Sequence, residues 1–138
     1  MIVTNSISFQ TRGECDIVDI TPQVVKQVAE SGINSGTVTV FVPGSTAGVT
    51  TIEYESGLVS DLQHLWDRIV PRNVGYDHDR RWGDGNGYSH VRASMLGPSL
   101  VVPFTDHRLT LGTWQQIILV DFDNRPRSRR AVLQIMGE

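Results

Sequence analysis

Only one cysteine, Cys15, occurs in the 138 residues, which excludes an internal disulfide framework and leaves at most one thiolate for a metal. No apolar run approaches the roughly 18 residues that a membrane-spanning helix needs, so no membrane partner is expected. The opening segment, Met1 to Gln10, lacks the basic start and long apolar middle of a secretory signal. These absences together lead to the expectation of a reduced, cytoplasmic setting. Lysine is nearly missing as well: eleven of the twelve basic residues are arginine. A formal charge of -3 argues against a protein whose main task is neutralising a nucleic-acid backbone, so no nucleic-acid partner is expected. There is no His-x-x-x-His or Cys-x-x-Cys spacing, no Walker lysine and no nucleophile-elbow setting for Ser45 or Ser89, which sets aside the P-loop and serine-hydrolase classes.

What is present fits one domain over residues 1–138. Ile2 to Gln10 and Cys15 to Ile20 alternate like strands, and Thr11 to Glu14 reads as the hairpin connection between them. Thr21-Pro22 starts a helix over Pro22 to Ser31, with Val24, Val25, Val28 and Ala29 as its apolar stripe and Gly32 as its stop. Gly36 to Val42 reads as a half-buried strand ended by a turn at Pro43 to Thr46, and Val49 to Glu55 as its partner. In that partner, Glu53 and Glu55 share one strand face. Leu58, Val59, Leu62, Leu65, Trp66 and Ile69 then recur at helical spacing between Ser56 and Pro71. Pro71 to His90 has no sustained periodicity and reads as a long loop, followed by a short helix over His90 to Leu96. Leu100 to Pro103, Gln115 to Phe122 and Ala131 to Ile135 are strand-like, and Leu109 to Asp123 reads as a hairpin with Gly112-Thr-Trp-Gln115 at its bend. Strands interrupted by two helices without regular alternation predict an antiparallel α+β domain.

Two segments concentrate the chemistry. In Trp82-Gly-Asp-Gly-Asn-Gly-Tyr-Ser-His90, Asp84 and Asn86 offer oxygen ligands, the glycines let the backbone curl, and His90 titrates near neutrality. His78, Asp84 and His90 together make a partial metal set. Around the second segment, Trp114 has two readings, a core side chain or an indole that covers a flat ring while Gln115 pairs with the ring's edge. Pro43 to Gly48 reads either as a strand-to-strand turn or as a small anion nest in which Ser45 and Thr46 contribute hydroxyls. Arg125 and Arg127 present forked donors suited to phosphate oxygens, within a compact run of four arginines that also serves to charge a strand edge. His64 and His107 read as solvent-facing.

Phe41-Val-Pro-Gly-Ser-Thr-Ala-Gly48, Trp82 to His90, Ala93-Ser-Met-Leu-Gly-Pro-Ser99 and above all Gly112-Thr-Trp-Gln115 resemble, in this order, the YjbQ-type family, also called the secondary thiamine-phosphate synthase family. The resemblance implies a layered antiparallel β-sheet or sandwich with two or three flanking helices. It also implies a homotrimer with sites near subunit contacts. The implied reaction joins an aminopyrimidine diphosphate to a thiazole phosphate and releases pyrophosphate. On that map Trp114 and Gln115 hold a ring and Arg125 and Arg127 bind phosphate, with Ser45 and Thr46 beside the substrate. Asp84, Asn86 and His90 organise a leaving group or a divalent metal, Mg or Zn, that His78 helps to hold. One departure stands out: many members carry His-Thr-Thr after the proline, whereas this chain has Gly44-Ser45-Thr46. The alternatives are a noncatalytic small-anion or nucleotide-binding protein and a metal-dependent hydrolase.

Overall fold

The computed structural model describes residues 1–138. Eight strands and four helices run in the order β1 (Ile2–Thr11), β2 (Asp16–Asp19), α1 (Thr21–Glu30), β3 (Gly36–Phe41), β4 (Ala47–Ile52), α2 (Ser56–Ile69), α3 (Asp77–Trp82), α4 (Gly87–Leu96), β5 (Ser99–Thr105), β6 (Arg108–Leu109), β7 (Gln116–Asp121) and β8 (Arg127–Gly137). The strands form a five-stranded sheet ordered β1-β8-β3-β5-β6 and a three-stranded sheet ordered β2-β7-β4, with every pairing antiparallel. The fold is α+β with layered antiparallel sheets.

Strand β7 explains the layering. Its Ile117-Ile118-Leu119-Val120 run does not alternate in polarity because both of its faces are buried. Ile117 and Leu119 enter the core shared with the five-stranded sheet, where Val38, Val40, Leu133 and Ile135 meet them and Val24 and Val28 of α1 join. Ile118, Val120 and Phe122 face the other way, toward Trp66 of α2 and Tyr88 and Ala93 of α4. The three-stranded sheet is therefore a middle layer between the larger sheet and the helices. Truncating one of these fully buried aliphatic side chains to alanine costs about 2–5 kcal/mol.

Three sequence expectations about pairing are corrected. β1 pairs with β8, from Ile2 opposite Met136 to Thr11 opposite Arg127, while β2 pairs with β7 in the other sheet. The reason is the turn between them: Gly13, Glu14 and Cys15 all have positive φ, and the Glu14 N–H donates to the Asp123 carbonyl at 2.7 Å, sending the chain across the layers. β4 pairs with β7 and not with β3, because Pro43 to Thr46 also crosses between sheets. Leu109 to Asp123 is likewise a crossing. β6 closes a two-residue turn with β5 through Asp106 and His107, both in the left-handed region that such turns require.

Residues 71–90 contain a helix too short for periodicity to betray, α3, whose first-turn Asp77 and Asp79 and last-turn Arg80 and Arg81 match the helix dipole. Glu53 and Glu55 do not share a strand face, since β4 ends at Ile52 and Glu55 instead caps α2, its carboxylate accepting from the Gly57 and Leu58 N–H groups. In α1 the buried stripe narrows to Val24 and Val28, with Val25 and Ala29 exposed.

Candidate functional site

The glycine-rich loop after α3 is built as a hinge between two short helices. Gly83 and Gly85 adopt left-handed φ, and Gly87 has no room for a side chain because a Cβ there would meet Tyr76 Cβ at 2.6 Å. That close approach lets the Gly87 N–H donate to Asp79 Oδ1 at 2.8 Å, fixing one carboxylate at the start of α4. His78 Nδ1 then lies 3.5 Å from Asp79 Oδ1 and 3.4 Å from Asp84 Oδ1. One ligand atom from each of these three residues lies within 4.8 Å of the other two. The His90 ring, on α4, sits beside His78 with centroids 4.5 Å apart. The loop therefore brings His78, Asp79 and Asp84 together, and His90 joins them only through its ring beside His78.

Two ligands on one tetrahedral ion at ~2.0–2.1 Å sit roughly 3.4 Å apart, which matches the His78 spacings. Imidazole beside carboxylates suits a zinc-like ion better than magnesium, which prefers an all-oxygen shell and keeps several waters. On donor type and spacing the residues fit a divalent metal.

Behind this loop lies a buried ionic cluster. Arg129 of β8 donates to Asp121 through Nε (2.7 Å) and Nη2 (2.8 Å), and Thr11 Oγ1 adds a bond to Asp121 Oδ2. Nη2 also donates to Thr46 Oγ1 at 2.7 Å. Thr46 Oγ1 in turn donates to Asp123 Oδ2 at 2.9 Å, an oxygen that also meets Arg127 Nη2 at 2.9 Å and Asn86 Nδ2 at 3.3 Å. Both carboxylates are completely buried. Burial works to raise the Asp123 pKa, but the bonds and charge from Arg127 and the bonds from Thr46 and Asn86 outweigh it, holding the carboxyl below its usual range. Hydrogen bonding to Asp121 pushes the Arg129 guanidinium further up, with burial opposing. The loop is stitched to this cluster: Asn86 Oδ1 accepts from the Asn124 N–H at 3.2 Å, and Asn124 Nδ2 donates to the Asp84 carbonyl at 2.8 Å.

Several sequence-assigned roles change on this geometry. Asn86 is no free ligand, because its carbonyl and amide are both spent inside the protein. Thr46 is buried between Arg129 and Asp123, so its hydroxyl is part of the ionic cluster and not of an anion nest, while Ser45 is exposed. Arg127 is paired with Asp123, whereas Arg125 is exposed and without a charged partner.

Trp114 is 73% exposed, which settles its two readings against the core. It borders a hollow of about 450 Å³ with Thr113, Gln116, Tyr54, Asp19, Glu53 and Glu55. Gln115 braces its own turn, accepting from the Gly112 N–H at 3.0 Å and donating to Thr51 Oγ1 at 3.1 Å. The glycine-rich loop and the Trp114 turn do not meet in one site within the chain. They lie at opposite ends of the six-residue β7, about 20 Å apart at a rise of ~3.3 Å per residue.

The match to known proteins is end to end. A family model described as "UPF0047 protein YjbQ-like" matches residues 5–138. The chain belongs to the YjbQ family. A UPF0047 protein of Archaeoglobus fulgidus is 37% identical over 130 residues, covering 94% of this chain and 98% of that protein. The Bacillus subtilis UPF0047 protein YugU is 32% identical over 134 residues, covering 96% of this chain and 98% of that one. A crystal structure of a YbjQ-like protein of unknown function from Sulfolobus solfataricus P2 superposes with a TM-score of 0.94 at 33% identity, covering 100% of this chain and 99% of the other. No helix is long and apolar enough to cross a membrane.

Within the YjbQ frame, the position that resemblance gives to histidine is Gly44, where a Cβ would stand 3.1 Å from Arg129 Nη1. A larger side chain there requires Arg129 to shift by a few tenths of an ångström.

Sequence reasoning misses Arg92, Asp79, Asp121 and Asp123, and gives Arg129 only as one of the four clustered arginines. Arg92 is buried, donates twice to the Val70 carbonyl at the end of α2 and once to Asp67, and stands over the Tyr88 ring. By capping α2 from α4, it fixes the helix that carries His90. The available signal was the Asp-x-Asp pair placed directly after the apolar β7 run.

Proposed function

We propose that the protein is a secondary thiamine-phosphate synthase-like enzyme, joining an aminopyrimidine diphosphate to a thiazole phosphate with release of pyrophosphate. The observation that carries the reading is the convergence of one ligand atom each from His78, Asp79 and Asp84 to within 4.8 Å of one another, with the His90 ring beside His78. In this reading His78, Asp79 and Asp84 hold a divalent ion, which when bound offsets the charge of the departing diphosphate. His90 provides a proton-transfer group at the edge of that centre. Arg125, exposed and unpaired, is the forked donor free to meet a phosphate. Trp114 supplies a flat, accessible face for the aromatic ring. Because Trp114 lies at the far end of β7 from His78, this reading requires the indole to come from a neighbouring copy, in keeping with a homotrimer whose sites lie near subunit contacts.

A second reading, a noncatalytic binder of small anions, is favoured by one finding: Thr46, Asn86 and Arg127 are all engaged in internal bonds. Turnover separates the two. Purified protein is incubated with both precursor phosphates, with and without a divalent ion, beside a His90→Ala variant. Thiamine phosphate that depends on both the ion and His90 supports the synthase. No product at saturating precursors transfers the assignment to the binder.

A further inference from the structure

We infer that the outer face of the β1–β8 strand pair carries a separate phosphomonoester-binding site centred on Arg130. Arg127 and Arg129 point into the protein toward Asp123 and Asp121, whereas alternation along β8 turns Ser128 and Arg130 to the opposite face. There the antiparallel register sets Arg130 directly opposite Ser8, and Ser128 directly opposite Gln10. These four residues, with Phe9, Arg129 and Pro43, line an open hollow of about 360 Å³.

The donor supply in this hollow is one-sided. No aspartate or glutamate lines it. Arg130 has no ion pair, unlike Arg127 and Arg129 beside it, so its five-donor fork is available to an oxyanion. Ser128 Oγ donates to Gln10 Oε1 at 3.0 Å, which orients the Gln10 amide and leaves its NH₂ donors unspent, and Ser8 adds a hydroxyl.

An arginine, a hydroxyl and an amide converging without a competing carboxylate select a tetrahedral oxyanion. The chain's net charge of -3 makes this local bias more telling. The Pro43 wall and a volume well beyond one phosphate favour an ester with an organic part over the free ion. The site requires binding and no turnover, so it stands apart from the synthase reaction.

The test is calorimetric titration of the full chain with inorganic phosphate and with ribose 5-phosphate at low ionic strength. The expected result is binding of both, tighter for the ester, and weakened about tenfold to a hundredfold in Arg130→Ala. Arg130→Lys is expected to recover part of the loss, since it restores charge without the fork. Arg68→Ala, which removes an exposed arginine from α2, is expected to bind like the parent and controls for net charge. Circular dichroism confirms that each variant is folded. Unchanged affinity in folded Arg130→Ala, equal loss in Arg68→Ala, or no binding by the parent protein at millimolar probe would each overturn the site. Free phosphate binding as tightly as the ester would overturn the assignment to esters.

Discussion

Arg129 and Asp121 form a two-pronged ion pair, Nε to Oδ2 at 2.7 Å and Nη2 to Oδ1 at 2.8 Å, with the aspartate completely buried and the arginine side chain 10% exposed. Asp121 ends β7 and Arg129 lies near the start of β8, so this contact joins the three-stranded sheet to the five-stranded sheet. Breaking it from one side strands a buried charge. Asp121→Asn is expected to destabilise the fold by about 3–5 kcal/mol, measured by urea unfolding. The double replacement Asp121→Leu with Arg129→Met is expected to recover much of that loss; a double variant as unstable as the single one would show that the pair itself stabilises.

Asp123 makes stability depend on acid. Its folded pKa lies below the ordinary carboxylate value, because Arg127, Thr46 and Asn86 together outweigh the cost of burial. The folded state therefore binds fewer protons than the unfolded chain in the interval between the two values. The resulting stabilisation is fully present above the unfolded value of about 4 and is lost as pH falls through the lower folded value. Unfolding free energy measured from neutral pH into that acidic interval should fall, and Asp123→Asn should be less stable at neutral pH with a flatter acid limb.

The proposed metal binding at His78 has a readout independent of turnover. Zinc in hundredfold excess over its dissociation constant is expected to stabilise the folded protein by about 2.7 kcal/mol, seen as a rise in Tm. His78→Ala and Asp84→Ala should abolish the rise. Asp77→Ala should keep it, since Asp77 is exposed and paired with Arg80. An equal rise in His78→Ala would place the ion elsewhere.

Cys15 is buried and its thiol is pushed up to about 11 from 9.0, with burial as the main cause. Two units of pKa leave about a hundredfold less thiolate at pH 8, and thiolate is the reactive form. Modification by a disulfide reagent in native buffer should be slower than in urea by at least that factor. Rapid native labelling would show that the turn at Gly13 to Cys15 opens readily.

The helices α1 and α2 were legible because an apolar stripe of period 3.6 needs only local sequence, and β7 because its aliphatic run reads as a strand, though its burial on both faces came only with the layering. Strand pairing was not. Thr11 to Glu14 looks like a hairpin turn by composition, but three successive positive-φ residues and a bond to the Asp123 carbonyl carry the chain into the other sheet. The site was legible in part. Glycine spacing marked the loop that joins His78, Asp84 and His90, whereas Asp79 was hidden in a helix of six residues.

The sequence by itself determined the chemistry available: arginine in place of lysine, a glycine-rich acidic loop with two histidines, one cysteine, and an aromatic at the Gly112–Gln115 bend. Composition and short spacing decide such properties because they belong to single residues or to one turn of chain. Alternation in an extended tail already turns Arg130 away from Arg127 and Arg129; the tertiary structure decided which of them meet carboxylates. Arg127 and Arg129 face Asp123 and Asp121, and Arg130 faces solvent, because the pleat of β8 and its register against β1 point neighbouring side chains to opposite faces. It also set Trp114 apart from His78 along β7, a distance that no local pattern encodes.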